Sequence, residues 1–134
     1  MSKKSVQVGD VALIPVRNAF VPAKVLFLSL YFKDVILLGI YNKKLSTKEM
    51  PRELPDEFVE RVYTSQEPIL KGRWISVGHE PLRPKQQGLT KRIVAGEIWL
   101  EDETLGPASE IDFDSLPRMQ VLGAGLVEKK AANI

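Results

Sequence analysis

The sequence contains no cysteine and only one histidine, His79, and these shortages exclude several kinds of chemistry. Without cysteine the chain can form no disulfide, offers no thiol nucleophile and provides no Cys-ligated metal site. A lone histidine cannot build a histidine-rich metal centre either. We therefore expect no metal and no cofactor.

Long hydrophobic runs are also missing. The longest uncharged apolar run covers residues 25–32, whereas a membrane helix needs about 18 such residues. The positive start, Ser2-Lys3-Lys4, is not followed by the apolar stretch of a signal peptide. The sequence thus predicts a soluble, cytoplasmic protein without membrane contact.

What the chain does have is enough apolar material for one core. It has 134 residues, 44% of them hydrophobic, and a formal net charge of +2. At this size about two thirds of the extended chain's surface can be buried. The length predicts a single domain over residues 1–134.

Most of the chain has the pattern of β-strands. Short apolar segments at residues 11–16, 20–32, 35–41, 69–77 and 90–100 are rich in Val, Ile, Phe and Tyr and are separated by Gly, Pro and charged pairs. Residues 20–32 and 35–41 form a predicted hairpin across Lys33-Asp34. We predict surface loops at residues 42–54 and 81–88.

Three further segments complete the prediction. Residues 55–63 place apolar side chains on one helical side, behind Asp56 and Glu57 in a first turn. Residues 110–114 alternate strictly, which predicts an edge strand with Ile111 and Phe113 inward. Residues 119–134 predict a second short helix near the C-terminus. The fold class is mainly β (α+β): a single twisted antiparallel sheet, or a partly open barrel, with one or two short helices.

The familiar catalytic arrangements fail on spacing. Ser76 and His79 lack the first glycine of a nucleophile elbow. Gly123-Ala124-Gly125 has Glu128 where a dinucleotide fingerprint needs its third glycine. A calcium loop starting at Glu110 would have Ser115 at its sixth position and Val121 at its twelfth, instead of Gly and Glu. Carboxylates at Glu97, Glu101 and Glu103 fit the spacing of a glycosidase pair, but acids at this spacing are more often a solvated face. We expect no enzyme.

Charge is distributed unevenly. Residues 93–117 contain seven acidic residues and no Lys or Arg, a local net charge of −7. Residues 71–92 carry six cations against Glu80 alone, a local net charge of +5. The two segments either neutralise each other through adjacent strands or form two opposite patches. An acidic patch attracts a basic protein, and a basic patch suits phosphate backbones.

The order of the apolar, Gly, Trp and Pro positions resembles a known family. These positions are Gly9-Asp10-Val11, then Leu38-Gly39-Ile40-Tyr41, then Trp74-Ile75-Ser76-Val77-Gly78 with Pro81, and finally Val121-Leu122-Gly123. In this order they resemble the immunity protein 26 family of bacterial polymorphic-toxin loci. The resemblance implies a mostly β fold, no enzymatic role, and binding to a cognate toxin. It carries over no contact residues.

The sequence leads to two functional expectations. The first is an immunity protein that neutralises a toxin, such as a nuclease, through an acidic surface. Its partner-binding residues would be Glu101, Asp102, Glu103, Glu110, Asp112 and Asp114. The alternative is a small nucleic-acid-binding β-barrel that would use Arg73, Arg83, Lys85, Lys91 and Arg92. Trp74 and Trp99 are expected to pack in the interior, with recognition as the alternative.

Overall fold

The computed structural model describes residues 4–134, which contain nine strands and three short α-helices. The charged start at Lys3 and before lies outside these residues. The strands are β1 (Asp10–Val16), β2 (Ala19–Leu28), β3 (Val35–Ile40), β4 (Glu60–Ser65), β5 (Ile75–His79), β6 (Arg92–Val94), β7 (Glu97–Leu100), β8 (Glu103–Pro107) and β9 (Val121–Leu122). The helices are α1 (Glu67–Leu70), α2 (Glu110–Ser115) and α3 (Ala124–Ala132).

The larger sheet has six strands in the order β5-β1-β2-β3-β4-β9. Its neighbours are antiparallel except for β4 and β9, which run parallel. The β1–β2 turn is Arg17-Asn18, and Asn18 takes the positive φ of 60° that a tight hairpin turn requires. The side chains of Ile14, Ile36 and Trp74 are fully buried in the main core of this sheet.

The smaller sheet has three antiparallel strands in the order β6-β7-β8. Ala95-Gly96 turns the chain between β6 and β7, with positive φ at both residues. The segment that precedes β9 connects the two sheets. There, the backbone of Ile93 in β6 donates to Pro117 at 2.8 Å and accepts from Met119 at 2.9 Å.

The predicted fold class is confirmed in its main statement: the chain is mainly β, with 38% strand and 17% helix. The single antiparallel sheet is wrong in detail, because the described residues form two sheets and contain one parallel pair. Within those residues no barrel closes. The hairpin of β2 and β3 is present, although its loop covers residues 29–34 instead of two residues.

The elements predicted over residues 55–63, 69–77, 90–100 and 110–114 differ from those observed. The strand predicted over 90–100 is two strands, β6 and β7, on either side of the Ala95-Gly96 turn. The helix predicted over residues 55–63 is absent from those described residues, and β4 begins at Glu60. The apolar residues of this segment instead belong to a strand, in which Val62 and Tyr63 are buried. Phe58 precedes the strand, and its ring packs on the backbone of Gly39. The strand predicted over 69–77 is α1 followed by β5. The C-terminal helix is confirmed as α3.

Candidate binding surface

The β7–β8 turn carries three of the predicted partner-binding residues, and its backbone is held from the interior. The amide of Glu101 donates to Thr90 Oγ1 at 2.9 Å, and its carbonyl accepts from Arg92 Nη1. Glu101 takes a positive φ of 55°, which is uncommon for a residue other than glycine. The anchored turn leaves the side chains of Glu101 and Glu103 exposed.

Arg92 supports this turn from a fully buried position. Its guanidinium lies 5.2 Å from the centroid of the Tyr63 ring and 5.9 Å from that of Trp99. The Nε and Nη2 atoms have no hydrogen-bond partner within residues 4–134. The rings of Tyr63 and Trp99 and the carbonyls of Thr90 and Glu101 surround its charge. Arg92 therefore joins the two sheets and cannot reach a phosphate at the surface.

Asp102 has a structural role. Its carboxylate accepts from Ser29 Oγ at 2.6 Å and from the amide of Leu30 at 2.7 Å, which fastens the β2–β3 loop to the smaller sheet. Beside it, the ring of Tyr31 lies 5.1 Å from that of Trp99. The loop thereby presents Leu30 at 90% exposure and Tyr31 at 66%. We call Leu30, Tyr31, Glu101 and Glu103 the tip patch.

Residues 110–114 form the helix α2, which corrects the prediction of an edge strand. Ser109 caps the helix: Asp112 Oδ2 accepts from the Ser109 amide and hydroxyl, both at 2.9 Å. These hydrogen bonds lower the pKa of Asp112. The capping box favours a helix more strongly than an alternation of only five residues favours a strand. The expected burial of Ile111 and Phe113 is also wrong, since Ile111 is 77% exposed and Phe113 is exposed.

The helix therefore presents Glu110, Ile111 and Asp114 to solvent, and we call these three residues the helix patch. It lies beyond the far end of β8 from the tip patch. Glu103 and Pro107 bound this five-residue strand, which extends over about 13 Å and lies between the two patches along the chain. Leu105, exposed on β8, lies between them.

The acidic and basic segments do not neutralise each other. Within residues 4–134, no salt bridge involves an acidic side chain of the 93–117 segment. The basic segment instead pairs with carboxylates outside the acidic one. Arg73 binds Glu128, and Arg83 binds both Glu80 and Asp56. Glu101, Glu103, Glu110 and Asp114 therefore keep exposed side chains without a salt bridge in the described residues, while Arg73 and Arg83 are paired.

Two of the five cations assigned to nucleic-acid binding remain free of such partners. Lys85 and Lys91 are exposed, and neither makes a salt bridge within the described residues. Arg73 and Arg83 are paired, and Arg92 is buried. The structure does not bring these five residues together as one cationic face.

The reactive groups considered from the sequence lie on different elements: His79 at the end of β5, and Glu101 and Glu103 at the tip of the β7–β8 hairpin. His79 Nδ1 lies 3.0 Å from Asp10 Oδ1 at the end of β5, and the side chain of Asp10 is buried. Glu101 and Glu103, the carboxylates considered for hydrolysis, are exposed at the hairpin tip. Trp74 lies in the core, as expected, and donates from Nε1 to Glu128 at 3.1 Å.

The sequence pattern places Leu30 and Tyr31 in a strand and does not predict that their side chains are exposed in a loop. A signal was present in Ser29, a polar residue that interrupts the apolar run and begins the loop. The partner that positions this loop, Asp102, is 73 residues away in sequence from Ser29. No local pattern indicates that pairing.

Comparison of the chain with protein-family models, curated proteins and solved structures finds no match. Among the residues described here, no helix has both the length and the apolar character required to cross a bilayer. Several positions that carry the family resemblance are packing positions. A side chain at Gly39 would meet the Phe58 ring at 2.5 Å, and one at Gly78 would meet Met50 Sδ at 2.7 Å.

Proposed function

We propose that this chain is an immunity-type binding protein, which captures a basic toxin through the tip patch and the helix patch. The observation that carries the proposal is the combination of unpaired acidic side chains with exposed apolar ones. Glu101 and Glu103 flank Leu30 and Tyr31 at one end of β8, and Glu110 and Asp114 flank Ile111 at the other.

The two kinds of residue have different roles in this proposal. Free carboxylates attract a basic partner over a distance and raise its association rate. Exposed tyrosine and leucine supply apolar contact area after docking, and tyrosine is among the residues enriched at energetic centres of interfaces. The tip patch has its backbone fixed before binding by Asp102, Thr90 and Arg92, which reduces the ordering cost of association.

The resemblance to the immunity family supports the choice of a toxin as partner. Its matching positions, such as Gly39 and Gly78, require close packing, so the likeness concerns the scaffold. The contact residues proposed here come instead from exposure and charge. The acidic face suits a toxin whose own active site is basic, as in an enzyme that acts on nucleic acid.

The test uses the protein encoded by the reading frame next to this one, co-expressed with the chain and then purified. We expect the two to co-purify and the chain to restore growth of cells that make the neighbouring protein. Association rates are then measured by surface plasmon resonance at several salt concentrations. If the unaltered chain neither co-purifies with the neighbouring protein nor protects the cells, the proposal is contradicted.

Matched variants locate the surface. The triple variant E101Q, E103Q and E110Q removes three charges from the two patches, and E49Q, E53Q and E57Q removes three from exposed glutamates elsewhere. We expect the first to slow association by about tenfold at low salt and to flatten its salt dependence. The second should retain most of the rate. Equal rates for the two variants would show that the acidic patches are not the contact surface.

A further inference from the structure

A groove between the two sheets has the opposite character from the acidic patches. It has a volume of about 450 Å³ and is lined by β4, by the segment that precedes β9 and by Leu89 and Lys91. We call it the edge groove. Phe58 and Val59 supply apolar surface, and Arg61, Lys91, Arg118 and Lys130 supply four cations around it.

These cations are largely unneutralised. Glu60 is the one carboxylate among the lining residues, and it pairs with Lys130 at 2.9 Å. Arg61, Lys91 and Arg118 make no salt bridge within residues 4–134. Asp112 at the border is near enough to Lys91 to feel its charge, but its carboxylate is occupied by the Ser109 cap.

The groove also follows an open strand edge. On one side β4 pairs with β3 along its full length, Glu60–Ser65, but on the other side β9 pairs only with Tyr63 and Thr64. Six consecutive residues, Phe58 to Tyr63, line the groove. Because side chains alternate between the faces of a strand, consecutive lining residues indicate that the groove runs along the edge itself.

The reason for the open edge lies in the segment before β9. If it continued parallel to β4, it would cover Glu60–Val62. Instead its backbone turns to the smaller sheet, where Pro117 and Met119 bond to Ile93 at 2.8 and 2.9 Å. The position of one more strand segment beside β4 is thereby left available in the described structure.

We infer that the edge groove binds an extended acidic peptide segment, which adds to β4 as a short strand. The open edge offers backbone donors and acceptors to the peptide backbone, and Arg61, Lys91 and Arg118 receive its carboxylates. The backbone of an extended peptide offers both hydrogen-bond donors and acceptors, as the open edge of β4 does, whereas a phosphodiester offers acceptors only. This inference does not rest on the toxin-binding proposal, since it concerns a different surface and a ligand of opposite charge.

The probe is a fluorescently labelled peptide of about eight residues with alternating glutamate and valine and with blocked ends. Binding is measured by fluorescence anisotropy at low salt. We expect saturable binding that weakens by about fivefold for K91A and for R118A, because each loses a charge-assisted contact. K129A removes an exposed lysine outside the lining residues and should leave the affinity unchanged.

A second probe tests strand addition itself. The same peptide with every other backbone nitrogen methylated keeps its charges but loses donors on one edge, and we expect its affinity to fall by at least about tenfold. Amide resonances of Arg61 and Val62 should shift on adding the unmodified peptide. An equal affinity for the methylated peptide, or no saturable binding of the unmodified one, overturns the inference. So does tighter binding of an oligothymidine that is weakened by the same substitutions.

Discussion

The basic segment, residues 71–92, and the acidic segment, residues 93–117, use their charges in opposite ways. In the basic segment, Arg73 and Arg83 are paired with carboxylates, and Glu80 also receives the buried ammonium of Lys24 at 2.8 Å. In the acidic segment, no side chain forms a salt bridge within residues 4–134. The first segment uses its charges in contacts within the fold, and the second leaves most of its charge at the surface.

Acidic residues that are close together in the sequence also have different roles in the structure. Within the acidic segment, Asp102 and Asp112 accept hydrogen bonds from the chain itself, so they belong to the scaffold. Glu101, Glu103, Glu110 and Asp114 remain as the exposed residues of the six predicted for partner binding.

The largest effect is expected for K24M. Lys24 donates to Glu80, to the carbonyl of Pro81 and to Gln86 from a fully buried position. Methionine preserves the volume but removes three hydrogen bonds and the ion pair with Glu80, which should lower the free energy of unfolding by about 3 kcal/mol. Denaturant unfolding measures the loss. The exposed control K33A should change stability by less than about 0.5 kcal/mol, and K24M behaving like that control would contradict the structural role.

The second effect is confined to alkaline pH. Burial raises the pKa of Tyr41 from 10.0 to about 12. The unfolded chain therefore loses this proton first, so the contribution of Tyr41 to stability is complete below pH 10 and is lost as the pH rises towards about 12. The loss should reach about 2 kcal/mol.

The variant Y41F should lack this component of alkaline destabilisation. The comparison is made by denaturant unfolding between pH 8 and pH 12 for the unaltered chain, Y41F and the exposed control Y31F. Lysine deprotonation acts on all three proteins alike. An alkaline profile of Y41F that overlays that of the unaltered chain would show that burial of Tyr41 does not set it.

A smaller effect is expected for D102A in the acidic segment. It removes the two hydrogen bonds that hold the β2–β3 loop, which should cost about 1 to 2 kcal/mol of unfolding free energy. The loop should also become more open, so protection of the Leu30 amide from hydrogen exchange should fall. Retained protection at Leu30 would mean that Asp102 does not tether the loop.

The smallest effect is expected for the double variant E101Q and E103Q. Both side chains are exposed and make no salt bridge within the described residues. Stability should change by less than about 0.5 kcal/mol, because neutralising free surface charge breaks no contact. A loss as large as that of D102A would show that these glutamates belong to the scaffold, and would remove them from the proposed binding surface.

The sequence by itself determined the fold class, the β2–β3 hairpin, the C-terminal helix and the separation of charge, because these depend on short-range periodicity and composition. It did not decide which cations are buried. Lys24 and Glu80 meet across 56 residues, and Arg92 lies between Tyr63 and Trp99 only once the two sheets pack. Tertiary structure alone decided which charges remain free, since each charge that lost water upon folding required compensating contacts from distant parts of the chain.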